Sequence, residues 1–283
     1  MSRRSSDPTI KSTSIVEGTI GDEASQLQGR MNQTVAKDPK CRLSTYVKHE
    51  VGNTDRQNNT SGLNLSEYYI NRIIDAMEAR YSKPREGYHV TDVCFCPRQK
   101  VFRQIDHRPI GAKTASIYSA GKAIHEAVQW LFLNDKRTFE REKYLEYQDI
   151  QGSVDLYDRK RSIPLEFKTC RVSDLKEPKT FHVEQLKYYM AMLDVPQGYM
   201  LYQFLLHFGD KPFKAFRIMM DGQERYMQRN KLVKEIHYLK RAMEAGDPAL
   251  ARPVNDDASL NWLCKECPYL TDCKKIQDAT AAS

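Results

Sequence analysis

The feature that most restricts this chain lies near its C-terminus, where Cys264, Cys267 and Cys273 stand in a C-x2-C-x5-C pattern. Seven cysteines in total is an odd number for a disulfide scaffold, and this spacing brings three thiolates round one centre. Zinc and iron–sulfur centres normally take four ligands, so a fourth must return from elsewhere in the chain. Cys96, in Cys96-Pro97-Arg98, is the expected partner, with Cys94 as the fallback. Cys41 sits in a polar stretch, and Cys170 reads as a buried small hydrophobe. Spacing alone does not separate zinc from iron–sulfur. In either case the segment near residue 96 must fold back onto residues 264–273, which restricts the unfolded chain and braces what lies between.

The rest of the chain divides by composition. Residues 1–62 are rich in Ser, Thr, Asn, Gln and Asp with no sustained period, and read as a disordered or flexible polar arm. Residues 63–118 read as a helical segment holding the first of the paired cysteines, 119–246 as an α/β core, and 247–283 as the cysteine-rich end. Apolar positions at three- and four-residue steps predict helices over 65–80 and 119–134, the first through Tyr69, Ile70, Ile73, Ile74 and Met77. Further helices are expected at 179–193 and 222–245, with an extended piece at 88–93 and strands at 198–208 and 213–220. The second strand pair would turn through Gly209-Asp210-Lys211-Pro212. No run approaches the roughly 20 apolar residues of a membrane span, and the N-terminus lacks the apolar stretch of a secretory signal. The expectation is a soluble, cytoplasmic protein. A net charge of +7 and a pI near 8.9 suit a polyanionic partner.

Chemistry concentrates between residues 120 and 190. Val154 and Leu156 flank Asp155, a polar turn follows at 158–161, and Ile163, Leu165 and Phe167 alternate with Glu166 and Lys168. Alternation on both sides of a polar turn predicts a β-hairpin, with Glu166 and Lys168 on one face and Leu165 and Phe167 in the core. Asp155 would approach them at the hairpin's edge. Two carboxylates at one point hold a hard divalent cation, and a lysine beside them stabilises charge on a phosphate. Upstream, His125 lies on a helix; downstream, Gln185 and Tyr189 share a helical face. Each motif alone has an ordinary explanation: an exposed Glu–Lys pair, a core histidine, an amphipathic stripe.

Their order is more specific. G-x-x-x-H at His125, G-x-V-D-L at Asp155, P-L-E-F-K-T at Glu166 and Lys168, and Q-x-x-x-Y at Gln185 resemble the RecB-like branch of the PD-(D/E)XK nucleases. That resemblance implies His125, Asp155, Glu166 and the Phe167 carbonyl as ligands of Mg²⁺ or Mn²⁺. It also implies Lys168 as the catalytic lysine, with Gln185 and Tyr189 supporting the site. The fold it implies is restriction-endonuclease-like: a central mixed sheet flanked by helices, under a small helical cap that joins the N- and C-terminal segments. One cysteine in a C-P-R segment before the core and a C-x2-C-x5-C group after it are similar to the iron–sulfur nucleases of this superfamily. These include the CRISPR-associated Cas-four exonuclease family and the AddB nuclease domain. The resemblance therefore implies a [4Fe–4S] cluster on Cys96, Cys264, Cys267 and Cys273, and DNA, as single strands or ends, as the substrate. It further implies CRISPR adaptation or recombination proteins as partners. The long polar arm departs from that family and leaves a viral or mobile-element setting open. No G-x-x-x-x-G-K-[ST] loop occurs, so no helicase is attached within this sequence. Arg98, Lys100, Arg103, Lys122, Arg171 and Lys187 are candidates for backbone contacts, and Tyr188 for base stacking. A catalytically inactive binding module and a zinc-stabilised interaction protein are the alternative readings.

Overall fold

A computed structural model of the chain describes residues 17–18, 65–83, 85–132, 135–172, 174–206, 212–254 and 260–281. The expected polar arm apart from residues 17–18, with Cys41, and most of the turn at 209–212 lie outside the described residues. The chain divides into two units, Gly18–Arg72 and Met1–Glu17 with Ile73–Ser283.

From Tyr88 onward the second of these carries six strands. They are β1 (Tyr88–His89), β2 (Phe139–Tyr147), β3 (Ile150–Asp158), β4 (Ile163–Cys170), β5 (Gln197–Phe204) and β6 (Phe213–Met219). The helices are α1 (Leu65–Ser82), α2 (Val90–Cys94), α3 (Pro97–Ile105), α4 (Ala112–Leu131), α5 (Thr180–Leu193), α6 (Gly222–Ala245), α7 (Asn261–Lys265) and α8 (Leu270–Ala281). The sheet is mixed. β6, β5, β4 and β3 are neighbours in that order, with β4–β5 parallel and the β5–β6 and β3–β4 pairs antiparallel. β2 pairs antiparallel with β3 from Ile150 to Asp158, with a break opposite Asp155.

The pairing of β3 with β4 and with β1 defines where chemistry can occur. β4 pairs with β3 only over Leu156–Asp158, and β1 pairs with it in parallel only at Ile150 and Gln151. The sheet therefore forks along Gly152–Asp155. An amide left without a ladder partner inside a fork must find another acceptor. The Phe167 amide donates instead to Asp155 Oδ2 at 2.7 Å, so the fork itself sets Asp155 beside β4.

Helices cover both faces. Side chains alternate along β4, and Gln185 of α5 reaches Glu166 while Phe132, at the end of α4, meets Phe167 at 6.3 Å between ring centroids. α5 is buried on several sides, supplying Tyr188 and Tyr189 to one apolar cluster and Leu186 and Met190 to another. α6 packs outside it through Leu232, Ile236, Leu239 and Ala242, a helical three-to-four spacing. Its ends are fixed locally. Asp221 and Glu224 form a reciprocal capping box, and Gly246 closes the helix at φ 63°.

The expected hairpin, α5, the β5–β6 pair and α6 all occur. Other expectations change. α1 forms, but Tyr69, Ile70 and Ile73 are each more than half exposed, so its apolar stripe is not covered by the described residues. The piece at 88–93 is extended only at Tyr88 and His89 and then turns into α2, where Asp92 Oδ2 accepts the His89 amide at 2.9 Å. α4 starts at Ala112, not 119, and buries Ala115 and Gln129 while Leu131 stays half exposed. Leu165 is only partly buried, whereas Glu166 is 2% exposed.

Candidate active site

Asp155, Glu166 and Lys168 meet at the fork and line a cavity of about 540 Å³ together with His125, Gln185 and Tyr189. His125 comes from α4, with Nδ1 3.4 Å from Asp155 Oδ1. One turn on, Gln129 donates to the Asp155 carbonyl at 2.9 Å and fastens the same helix to β3. Lys168 Nζ donates to Glu166 Oε1 at 2.7 Å, and Gln185 Nε2 donates to the same oxygen at 2.9 Å. Gln185 also donates to the Tyr189 hydroxyl at 3.0 Å. His125, Asp155, Glu166, Lys168, Gln185 and Tyr189 therefore all line one cavity.

The two carboxylates are electrostatically unequal. Burial pushes Glu166 up to about 7, and the neighbouring charge of Asp155 adds to it. Asp155 is held below the ordinary carboxylate range: burial opposes this, but the His125 hydrogen bond, the Lys168 charge and the Phe167 amide prevail. Burial also opposes the charge of Lys168, yet Glu166 and Asp155 raise it above the usual lysine value, so the ammonium is protonated. One atom of this network is unmatched. Glu166 Oε2 is buried with no hydrogen-bond partner among the described residues, as is Gln185 Oε1. A buried acceptor without a donor is costly, and a bound cation would satisfy it. Among the described residues no three His, Cys, Asp or Glu side chains already stand closed round a common point.

Gly152 is why Tyr189 fits. A Cβ there would lie 2.7 Å from Tyr189 Cε1, closer than carbon atoms approach, and 3.4 Å from Val90 Cγ2. Tyr189 is 2% exposed and cannot swing away. Gly152→Ala is expected to cost about 1–3 kcal/mol of stability. By displacing Gln185 from Glu166 it should also weaken Mn²⁺ binding. Denaturant midpoints and Mn²⁺ titration check this, and wild-type values in both would refute it.

Sequence reasoning missed two residues of this site. Gln129 follows His125 by four and so shares its helical face, a signal hidden by the apolar pattern around it. Glu142 on β2 had none: it stands at φ 47°, in the left-handed region, and its carboxylate accepts from Gln129 at 2.8 Å and Ser153 at 3.1 Å. Two expected surface residues are buried instead. Tyr188 is 2% exposed and has no face to offer a base, and Arg98 is 6% exposed, donating to the Ala251 carbonyl and to Cys273 Sγ.

His182, near the same network, carries a pH consequence. Burial, with the charges of Lys168 and Lys179, lowers it from the usual 6.5 to about 2, and its Nδ1 lies 2.8 Å from the Tyr202 hydroxyl. Below pH 6.5 the unfolded chain takes up a proton that the folded one refuses, so stability is whole above that pH and declines as pH falls towards 2. The slope from this residue is about 1.4 kcal/mol per pH unit. Unfolding free energies at pH 7 and pH 5 should separate less in His182→Asn than in wild type, and equal separations would refute the assignment.

Cys96, Cys264, Cys267 and Cys273 are neighbours in the fold, although among the described residues they do not form a group that could hold a metal ion. Cys96 and Cys264 pack on the Phe181–Val254–Leu260 cluster. Gln99 Nε2 donates to Cys267 Sγ and Arg98 Nη1 to Cys273 Sγ, both at 3.5 Å. None of the four is in a disulfide. Burial, together with the neighbouring Cys267, Cys273 and Cys264, pushes the Cys96 thiol up to about 11 against the Gln99 amide. Cys94, the fallback, points into the main core instead, its thiol raised by burial. Tyr269 locks the segment down: it is fully buried, stacks on Phe102 at 5.1 Å and 5°, and donates to the Asp106 carbonyl at 2.8 Å.

No protein-family profile and no curated protein sequence matches this chain. Solved structures do show likeness. The crystal structure of SSO0001 shares 20% identity at a TM-score of 0.47, covering 74% of this chain and 95% of that one. A phage-related exonuclease from Haemophilus somnus 129PT shares 13% at 0.33, over 44% of this chain and 70% of that one. An alkaline exonuclease from Laribacter hongkongensis shares 12% at 0.35, over 60% and 98%. Likeness at this level transfers no function. The site's own geometry has to carry the reading. Among the described residues no helix is long and apolar enough to cross a membrane.

Proposed function

We propose that this chain is a metal-dependent DNA nuclease that hydrolyses phosphodiester bonds in single strands or at DNA ends. The observation that carries the reading is the unmatched Glu166 Oε2, buried beside Asp155 and Lys168 at the sheet's fork. Asp155, Glu166 and His125, with the Phe167 carbonyl, would hold Mg²⁺ or Mn²⁺. Such a cation supplies positive charge that acidifies water and offsets charge on the phosphate. The chain's own residues do the rest. Asp155 is ionised and fixed by the Phe167 amide, and Gln185 and Tyr189 hold Glu166 in one orientation. Lys168, whose Nζ lies 2.7 Å from Glu166 Oε1, would direct positive charge towards the phosphate. Cys96, Cys264, Cys267 and Cys273, drawn together on binding it, would carry a [4Fe–4S] cluster that clamps α3 to the C-terminal segment.

Cleavage of end-labelled single-stranded DNA by protein purified without oxygen tests this. Cutting should require Mg²⁺ or Mn²⁺, stop with EDTA and fall below detection in Asp155→Asn, while iron and sulfide should assay near four each per chain. Absence of cleavage by iron-loaded protein would sink the nuclease reading. Zinc in place of iron would sink the cluster and leave the carboxylate site untouched.

A further inference from the structure

A neighbouring hollow shares lining residues with the carboxylate cavity. Arg85 and Thr91 line both, and this second cavity, of about 400 Å³, lies between the end of α1, α3, α4 and α7. Lys83, Lys100 and Arg103 stand in that second wall beside Tyr81, Tyr118 and Trp262. Asp92 is the one carboxylate among the described residues lining it, and it is already engaged, 3.1 Å from Arg85 and 3.4 Å from Lys100. It holds two cations in place and leaves the wall basic. Lys100 is further fixed by donating to the Arg85 carbonyl at 2.8 Å. Among the aromatic residues, Trp262 is 43% exposed, and Tyr81 meets Tyr118 edge-on at 6.1 Å.

We propose that this second cavity is the track along which a single DNA strand reaches the carboxylates. Its phosphates would lie on Lys83, Arg85 and Arg103, and its bases on Trp262 and the Tyr81–Tyr118 pair. Cations that follow a backbone, interleaved with rings that take base faces, recognise an unpaired strand, because a duplex keeps those faces stacked on one another. Arg85 and Thr91 stand in both walls, so the two cavities adjoin and a strand lying in one would reach the other across them. The inference rests on the nuclease reading for what happens at the carboxylates, but its binding claim can be tested without cleavage.

The test uses the full chain in EDTA with an oligothymidylate of about 15 nucleotides, within the range of single-strand site sizes, carrying one photoreactive iododeoxyuridine. Peptide mapping should find adducts on Trp262, Tyr81 or Tyr118. Adducts confined to other exposed aromatics, such as Trp130 or Tyr226, would overturn the track. Independently, Lys83→Gln with Arg103→Gln should weaken the oligonucleotide roughly 10-fold. It should also reduce the slope of log affinity against log salt by roughly 1.4, for two phosphates no longer neutralised. An unchanged slope with the protein folded would overturn the proposal. The two readings fail differently. Adducts in the track without cleavage in Mg²⁺ would remove the nuclease and keep the track, whereas cleavage with adducts elsewhere would do the reverse.

Discussion

Lys168→Ala should lower DNA cleavage on the order of 10²- to 10³-fold, with the fold retained. In the folded chain Lys168 Nζ lies 2.7 Å from Glu166 Oε1, and no other cation contacts that carboxylate among the described residues. Removing the ammonium leaves Glu166 facing Asp155 in a buried site, so Glu166 becomes harder to ionise and is expected to take up a proton. That escape keeps the loss of stability modest, because a neutral acid is far cheaper to bury than an unpaired charge. Once a cation displaces the proton, the binding site has lost a repelling neighbour. Mn²⁺ at pH 8 should therefore bind the variant at least as tightly as wild type. Tight binding with lost cleavage would separate the role of Lys168 from that of the ligands. Equal cleavage by both proteins would remove Lys168 from the mechanism.

The second large effect is structural. Tyr269→Ala should cost about 3–5 kcal/mol, and lower Tm by roughly 10 °C for a domain of this size. The ring is fully buried, parallel to Phe102, with the Arg108 guanidinium 5.1 Å from its centroid. Its hydroxyl donates to the Asp106 carbonyl and accepts the Arg108 amide at 3.1 Å. Tyr269→Phe keeps the ring and loses only those two bonds, so it should cost about 1–2 kcal/mol. Thermal melts of the two variants, read beside their iron content, check both figures. A Tyr269→Ala protein that melts with wild type would show that the C-terminal segment is held elsewhere.

Much of the site was legible because its spacings report local geometry. Glu166 and Lys168 fall two apart on a strand, and Gln185 and Tyr189 four apart on a helix; both pairs do face the same cavity. What was not legible depended on tertiary partners. β2 was hidden because it turns into β3 through Gln148 and Asp149, both at positive φ, without the Asn-Gly signal of such turns. The helix over 119–134 was read as an apolar stripe, yet its buried residue near the site is Gln129, whose amide is spent on Glu142 and the Asp155 carbonyl. Arg98 and Tyr188 looked like surface contacts because nothing local marks a buried arginine facing a sulfur, or a tyrosine beneath α6. The preference for Cys96 over Cys94 came from the C-P-R segment, and the fold adds where the two thiols lie. Two residues along a chain that turns from α2 into α3 are enough to place one thiol in the core and the other against the tail.

The join between α3 and the C-terminal segment also has a meaning in the order of synthesis. The ribosome finishes the last described strand at Met219, but the ring that stacks on Phe102 and the three cysteines near Cys96 arrive only with Cys264 to Cys273. Domains fold as they emerge, so the carboxylates can gather while Phe102 still lacks its stacking ring. A nascent or truncated chain that stops before Tyr269 would thus show an open apolar face beside unclosed thiols, a surface that chaperones and proteases read as unfinished. In the finished protein Tyr269 covers that apolar face, while the four thiols stay partly exposed.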